Sequence, residues 1–206
     1  MNEQESRRWH PRHMGWSTDI LPFFDRVGRE LPRGATYVEV GVFLGRSLAF
    51  MGELRPDVKL VAIDPWEDVP SRGYDGPGEF DGVIHEAGGL YKAFLEQMMT
   101  FSPDVLRRAR IVPARSVAGM LSLAEASVDM VFIDGAHDTE SVTEDIRAAQ
   151  RILKPGGLLS GHDFCGENGV MEAVLAILGQ PNLEPWADTR HPGWLEGHST
   201  CWWVRT

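Results

Sequence analysis

Tyr37–Val38–Glu39–Val40–Gly41–Val42–Phe43–Leu44–Gly45–Arg46–Ser47 begins as an apolar strand, turns at glycine and passes into a helix over Ser47–Leu48–Ala49–Phe50–Met51. Gly41 and Gly45 carry no side chain, so the spacing predicts a turn that a small ligand can approach closely. The helix that follows offers unpaired backbone N–H groups and a positive dipole end to a carboxylate or phosphate. Glu39 is an acid in the strand's last turn, where an apolar residue would be less costly to bury. A plain strand-to-helix turn has the same local pattern, so the assignment depends on what lies downstream.

Outward from that corner, strands and helices alternate. Residues 17–31 read as a helix, with Ser17–Thr18–Asp19 as capping chemistry and Ile20, Phe24, Val27 and Leu31 at helical spacing. Strand one covers about 36–41 and its helix about 46–54. Strand two is 59–64. A Gly- and Pro-rich loop at 65–87 is long enough to act as a lid. A helix presents Tyr91, Phe94, Leu95, Met98 and Phe101. Strand three lies near 109–113, and Ser116 is read as the cap of the next helix. Strand four is 128–134. Its helix turns Val142, Ile146, Ala149 and Leu153 inward. Residues 154–157, Lys-Pro-Gly-Gly, read as a turn into strand five, which starts at 158–161. A helix near 168–179 and weak strands near 183–187 and 199–204 complete the chain. The pattern predicts an α/β fold: a Rossmann-like, doubly wound, mainly parallel seven-stranded sheet with helices on both faces. Residues 1–16 read as a flexible N-terminal arm and 17–206 as one domain.

The 206 residues are 43% hydrophobic and 24% charged, which suits a folded core. A formal net charge of −10 repels phosphate backbones, so nucleic acid is not an expected partner. The basic cluster Arg7, Arg8, Arg12 with His10 and His13 falls in the arm. Cys165 and Cys201 form no C-x-x-C pair and read as reduced thiols of a cytoplasmic protein. No apolar run reaches the ~18 residues of a membrane span, and no secretory signal pattern opens the chain.

In this architecture ligands sit at the carboxyl ends of the strands. There the chain places Glu39–Val40–Gly41, Asp64, Ala114–Arg115–Ser116, Asp134–Gly135–Ala136–His137 and His162–Asp163. Asp64 follows Gly41 at the spacing of an acid that accepts ribose hydroxyls. The turn itself is E-x-G-x-x-x-G-x-S, lacking the first glycine of a dinucleotide fingerprint.

On these motifs the chain resembles the class I S-adenosylmethionine-dependent methyltransferases. Within them it is similar to the small-molecule O-methyltransferases that include macrolide-sugar, cephalosporin-pathway and catechol methyltransferases. Residues 38–47, Ala62–Ile63–Asp64–Pro65–Trp66 and Phe132–Ile133–Asp134–Gly135–Ala136–His137 carry the resemblance. So do Asp145–Ile146 and the run from Leu153 to Phe164. It covers about residues 35–165 and implies methyl transfer from S-adenosylmethionine to a hydroxylated small-molecule acceptor. By position, Glu39, Gly41 and Ser47 would face the methionine half of the cofactor, Phe43 would line its pocket, Asp64 would hold the ribose hydroxyls and Ser116 would border the adenine. Asp134 would lie beside the sulfonium. The usual family acid at position 115 is an arginine here.

Relatives often bind magnesium with the residues at Asp134, His162 and Asp163. With one imidazole among them, the set implies a divalent metal, Mg, Mn or another. His162 is equally read as a hydrogen-bonded core histidine. His137 is either the general base or a cap of the helix at 139, and Asp134 is the alternative base. Loop 65–87, with Tyr74, Phe80 and His85, would close over the acceptor. Of Trp186, Trp194, Trp202 and Trp203, the last two point to opposite faces of a strand, and one of them is free to meet a partner chain in a homodimer. Two rival readings share the fold: a nicotinamide-dependent dehydrogenase, which should show G-x-G-x-x-G, and a non-catalytic cofactor-binding protein.

Overall fold

The computed structural model describes residues 20–67, 80–165, 169–184 and 201–206. The capping triplet 17–19, the arm 1–16, Tyr74, Trp186 and Trp194 lie outside them. The elements are α1 (Leu21–Glu30), β1 (Thr36–Val40), α2 (Arg46–Leu54), β2 (Lys59–Asp64), α3 (Asp81–Ala87), α4 (Leu90–Phe101), α5 (Pro103–Arg108), β3 (Ala109–Pro113), α6 (Ser116–Leu121), β4 (Val128–Ile133), α7 (Thr139–Ile152), β5 (Leu153–Gly161), α8 (Gly169–Leu178), β6 (Asn182–Glu184) and β7 (Cys201–Arg205).

Among the described residues the strands form one seven-stranded sheet in the order β3-β2-β1-β4-β5-β7-β6. β1 to β5 run parallel, and β7 lies antiparallel to both β5 and β6. The order reverses between β1 and β4, which opens a crevice at their carboxyl ends. Alternation splits the side chains by face. Tyr37, Leu60, Ala62, Met130 and Phe132 pack with α1, α2 and α4. Val38, Val40, Val61, Ile63, Val131 and Ile133 pack with α6, α7 and α8. The first face is aromatic at its centre, with the Phe24 and Phe132 rings 4.7 Å apart, edge to face.

The long loop is shorter than the pattern suggested, because α3 takes up its last seven residues. Residues 68–79 lie outside the described set. Residues 154–157 are not a turn. They belong to β5, kinked at Gly156 (φ 79°). Two long-range contacts hold them in the sheet: Lys154 Nζ sits 2.8 Å from Asp129 Oδ2, and the Thr206 amide donates to the Gly157 carbonyl at 3.0 Å. Leu153 therefore opens the strand instead of closing the helix. α5 was not expected from periodicity. Pro103 starts it, and Arg108 at its end donates to the carbonyls of Val58 and Gly52. In β7, Trp202 is fully buried and packs over Gly161, where a Cβ would come within 2.6 Å of the indole. Trp203 points to the other face, under the Arg26 guanidinium 5.2 Å from its ring.

Candidate active site

The glycine turn is anchored on both sides by protein. Gly41 has φ 82°, and a Cβ there would overlap the Asp134 carbonyl and stand 2.7 Å from Gly135 Cα. Gly45 has φ 86°, and its Cβ would meet Met98 Sδ at 2.8 Å and Phe94 Cε2 at 2.9 Å. The space left by both missing side chains is thus filled by β4's end and by α4. The turn needs glycine for close packing of the chain, a reason different from the ligand access expected of it.

Asp64 staples the loops after β1 and β2 together. Its Oδ2 accepts from the Phe43 amide at 2.9 Å and its Oδ1 from the Trp66 amide at 2.6 Å. Trp66 Nε1 in turn donates to the Phe43 carbonyl at 2.9 Å. Phe43 and Trp66 hold positive φ angles of 51° and 44°. Such backbone costs ~1–3 kcal/mol per residue, and the carboxylate with its amide bonds holds it in place. Burial pushes the Asp64 pKa up, against these hydrogen bonds. A carboxylate offers about four lone-pair sites, so the two amides leave room for further donors such as ribose hydroxyls.

Glu39 is fully buried. Its Oε1 lies 2.6 Å from Ser47 Oγ and its Oε2 2.6 Å from Tyr37 Oη. Burial pushes its pKa up to about 8, with Asp134 and Asp64 adding to the rise. At neutral pH it is mostly the uncharged acid. Burial thus disfavours its charge, while the hydrogen bonds of Ser47 and Tyr37 act the other way.

The ends of β4 and β5 bring Asp134, His137, His162 and Asp163 together around a small cleft that Val170 and Trp202 also line. His137 Nε2 is 3.0 Å from Asp163 Oδ2. His162 Nδ1 is 3.4 Å from Asp163 Oδ1 and 3.9 Å from Asp134 Oδ1. Asp163 sits at φ 57°. Burial alone would raise its pKa, but the hydrogen bonds of His137 and His162 reverse this and hold it well below the usual carboxylate range. The same bond to Asp163 raises His137. The cap of α7 is Asp138, whose carboxylate accepts from the Ser141 amide at 2.9 Å. His137 is thereby released from the capping alternative.

A family model described as a methyltransferase domain matches residues 38–164, from β1 through the end of β5. The chain belongs to the methyltransferase-domain family. Among solved structures, this methyltransferase is similar to a Clostridium thermocellum protein described as an rRNA methylase, with 14% identity, a TM-score of 0.61, and 94% of this chain and 100% of the other covered. A Thermotoga maritima S-adenosylmethionine-dependent O-methyltransferase gives 16% identity and a TM-score of 0.61, over 94% of this chain and 66% of its own. A Streptococcus mutans methyltransferase solved with S-adenosylhomocysteine gives 12% and 0.59, over 91% and 97%. At these identities the likeness is one of fold. No curated protein matches the chain. No helix among the described residues is long and apolar enough to cross a membrane.

On the opposite flank of the methyltransferase's rim, Ser116 is the first residue of α6, and Arg115 occupies the cap position without a side-chain cap bond. Ser116 instead acts on Asp145 of α7, lowering its pKa against the effect of burial. Asp145 is 1% exposed, and burial pushes its pKa up to about 6. It appeared in the sequence only as part of a motif; an acid on the inward stripe of a helix was the signal. Arg115 pairs with Glu67 at 2.8 Å, so the rim after β3 gains an acid from the loop after β2. Phe43 meets Phe80 with ring centroids 5.8 Å apart, edge to face. His85 lies in α3. Asp134, His162 and Asp163 each offer one ligand atom, all within 4.8 Å of one another. Two carboxylate oxygens and one imidazole nitrogen in that space are compatible with a divalent ion that also keeps water or substrate oxygen.

Proposed function

We propose that this methyltransferase moves a methyl group from S-adenosylmethionine to a hydroxyl of a small molecule. The observation that carries the reading is the His137–Asp163 pair beside Asp134, at the open ends of β4 and β5 next to the glycine turn. When bound, the donor supplies an electrophilic methyl on a positively charged sulfur. The protein's part is to align and to move one proton. Neutral His137 donates Nε2–H to Asp163, which leaves Nδ1 unprotonated with its lone pair. Nδ1 takes the acceptor's hydroxyl proton, and Asp163 stabilises the imidazolium that forms. Asp134 provides negative charge next to a cationic donor. Asp64 accepts the ribose hydroxyls, and Ser47 meets the amino-acid tail. Asp134, His162 and Asp163 would hold a divalent ion, whose Lewis acidity would lower the pKa of the acceptor hydroxyl.

The net charge of −10 favours a small acceptor over RNA. The test is incubation with methyl-labelled S-adenosylmethionine and a panel of sugars, phenols and other hydroxylated metabolites. Label should appear as a methyl ether with wild type and not with Asp134→Ala. Label on nitrogen or carbon, or none with any acceptor, would count against the reading.

A further inference from the structure

Behind the glycine turn runs a buried chain of three polar groups. Tyr37 Oη lies 2.6 Å from Glu39 Oε2, and Glu39 Oε1 lies 2.6 Å from Ser47 Oγ. Tyr37 and Glu39 have no exposed surface, while Ser47, the second residue of α2, is 7% exposed. Asp64 from β2 and Asp134 after β4 are the charged groups that act on Glu39, and both repel a negative charge there. Cys201 of β7 faces Tyr37. No cationic side chain pairs with Glu39 among the described residues. An unpaired carboxylate in this setting is costly to bury, whereas a neutral acid with two hydroxyl partners is not.

The hydrogens can then be assigned. Burial holds the Tyr37 phenol protonated, so it donates to Oε2. The acid's own proton sits on Oε1 and is donated to Ser47 Oγ. That leaves the Ser47 hydroxyl hydrogen free to point outward. With Glu39 ionised, the single Ser47 hydrogen is drawn back to Oε1, and Ser47 shows only lone pairs in front. The start of α2 favours an anion through its dipole. An outward donor there is complementary to a carboxylate; outward lone pairs are not.

We infer that Tyr37 and Glu39 are positioning residues: Glu39, kept as a neutral acid and oriented by Tyr37, turns Ser47 into a hydrogen-bond donor toward the carboxylate of the cofactor's amino-acid tail. This rests on the S-adenosylmethionine reading above. In this arrangement Glu39 acts through Ser47, and Tyr37 acts through Glu39.

The experiment is calorimetric titration of S-adenosylhomocysteine into wild type, Glu39→Ala, Glu39→Gln and Tyr37→Phe between pH 6.5 and 9. At pH 6.5 Glu39→Ala should weaken binding about tenfold or more, the loss expected of a buried hydrogen-bond link. Glu39→Gln should rescue it, because a glutamine carbonyl accepts from Tyr37 and its NH₂ donates to Ser47. With Glu39 titrating at about 8, wild type should lose about tenfold more affinity by pH 9 than Glu39→Gln does. The ligand's amine titrates in every protein and cancels in that difference. Tyr37→Phe removes a bond that favours ionised Glu39, so the fall should move to higher pH. Infrared difference spectra of wild type against Glu39→Gln should contain a protonated-carboxyl band, and this readout does not depend on affinity. Binding by Glu39→Gln no tighter than Glu39→Ala, identical pH profiles for wild type and Glu39→Gln, or no such band would overturn the inference. Wild type failing to bind at every pH would strike the S-adenosylmethionine reading itself, and the inference with it.

Discussion

Gly41 lies against the backbone carbonyl of Asp134, so closely that a Cβ at 41 would overlap the oxygen and stand 2.7 Å from Gly135 Cα. The turn after β1 and the acid after β4 are therefore one structural unit across the switch point. Substituting Gly41→Ala adds that overlap to a left-handed backbone at φ 82°. The backbone term alone is ~1–2 kcal/mol, and a total above ~2 kcal/mol is expected once the overlap is included. Chemical denaturation measures it. A loss below ~0.5 kcal/mol, the size of an ordinary surface change, would mean that the two segments are not packed as described.

Asp64 staples two loops and is the proposed acceptor for the ribose hydroxyls, so its removal should register in two assays. Asp64→Ala leaves the amides of Phe43 and Trp66 without their acceptor. It should lower stability by ~1–3 kcal/mol and weaken S-adenosylhomocysteine binding by a similar amount. Thermal melts and titration calorimetry read the two separately. Loss of stability with unchanged affinity would remove the ribose role and leave the staple.

Asp145 makes stability depend on pH. Its pKa is raised from 3.8 to about 6 in the folded protein, so the folded state holds its proton longer than the unfolded chain. Stability from this group is full below about pH 4, falls as pH rises toward about 6, and is flat above. One oxygen of the carboxylate has no hydrogen-bond partner among the described residues. Asp145→Asn removes the buried charge and should stabilise the protein at pH 7 by up to ~3 kcal/mol relative to its effect at pH 4. Melting temperatures of both proteins across pH 4–8 give the answer. Parallel curves would contradict it.

His137 is assigned the proton, so His137→Gln should lower kcat by ~10²–10⁴, the range for a lost general base. Its partner Asp163 orients the ring at 3.0 Å. Asp163→Asn should therefore lower kcat as well. Steady-state kinetics with the acceptor found by methyl labelling are the measurement, and a His137→Gln variant turning over at the wild-type rate would transfer the role to Asp134.

Much of this was legible because β1, β2 and β4 are apolar runs buried on both faces, and such runs announce themselves locally. The acids near their ends were legible for the same reason: a charged residue type interrupts an apolar run, although Glu39 and Asp64 prove to be buried. What could not be read depends on distant partners. Residues 154–157 look like a turn until Thr206 pairs beside them. The glycines at 41 and 45 look like ligand clearance until Asp134, Phe94 and Met98 fill the space. Glu39 looks like a charge until full burial beside Asp134 and Asp64 raises its pKa, against the pull of its two hydroxyl partners. The cap of α7 is local, an Asp138 carboxylate accepting from the Ser141 amide, and Asp138–Thr139–Glu140–Ser141 carries its pattern.

The account's central claim is that the rim joining the ends of β1, β2, β4 and β5 binds a sulfonium methyl donor. Titrating S-adenosylhomocysteine into the purified protein tests it most directly, with Asp64→Ala alongside. One site per chain is expected, with a dissociation constant in the micromolar range or tighter and about tenfold weaker or more in the variant. No binding to the wild-type protein, or equal affinity in both, would contradict it.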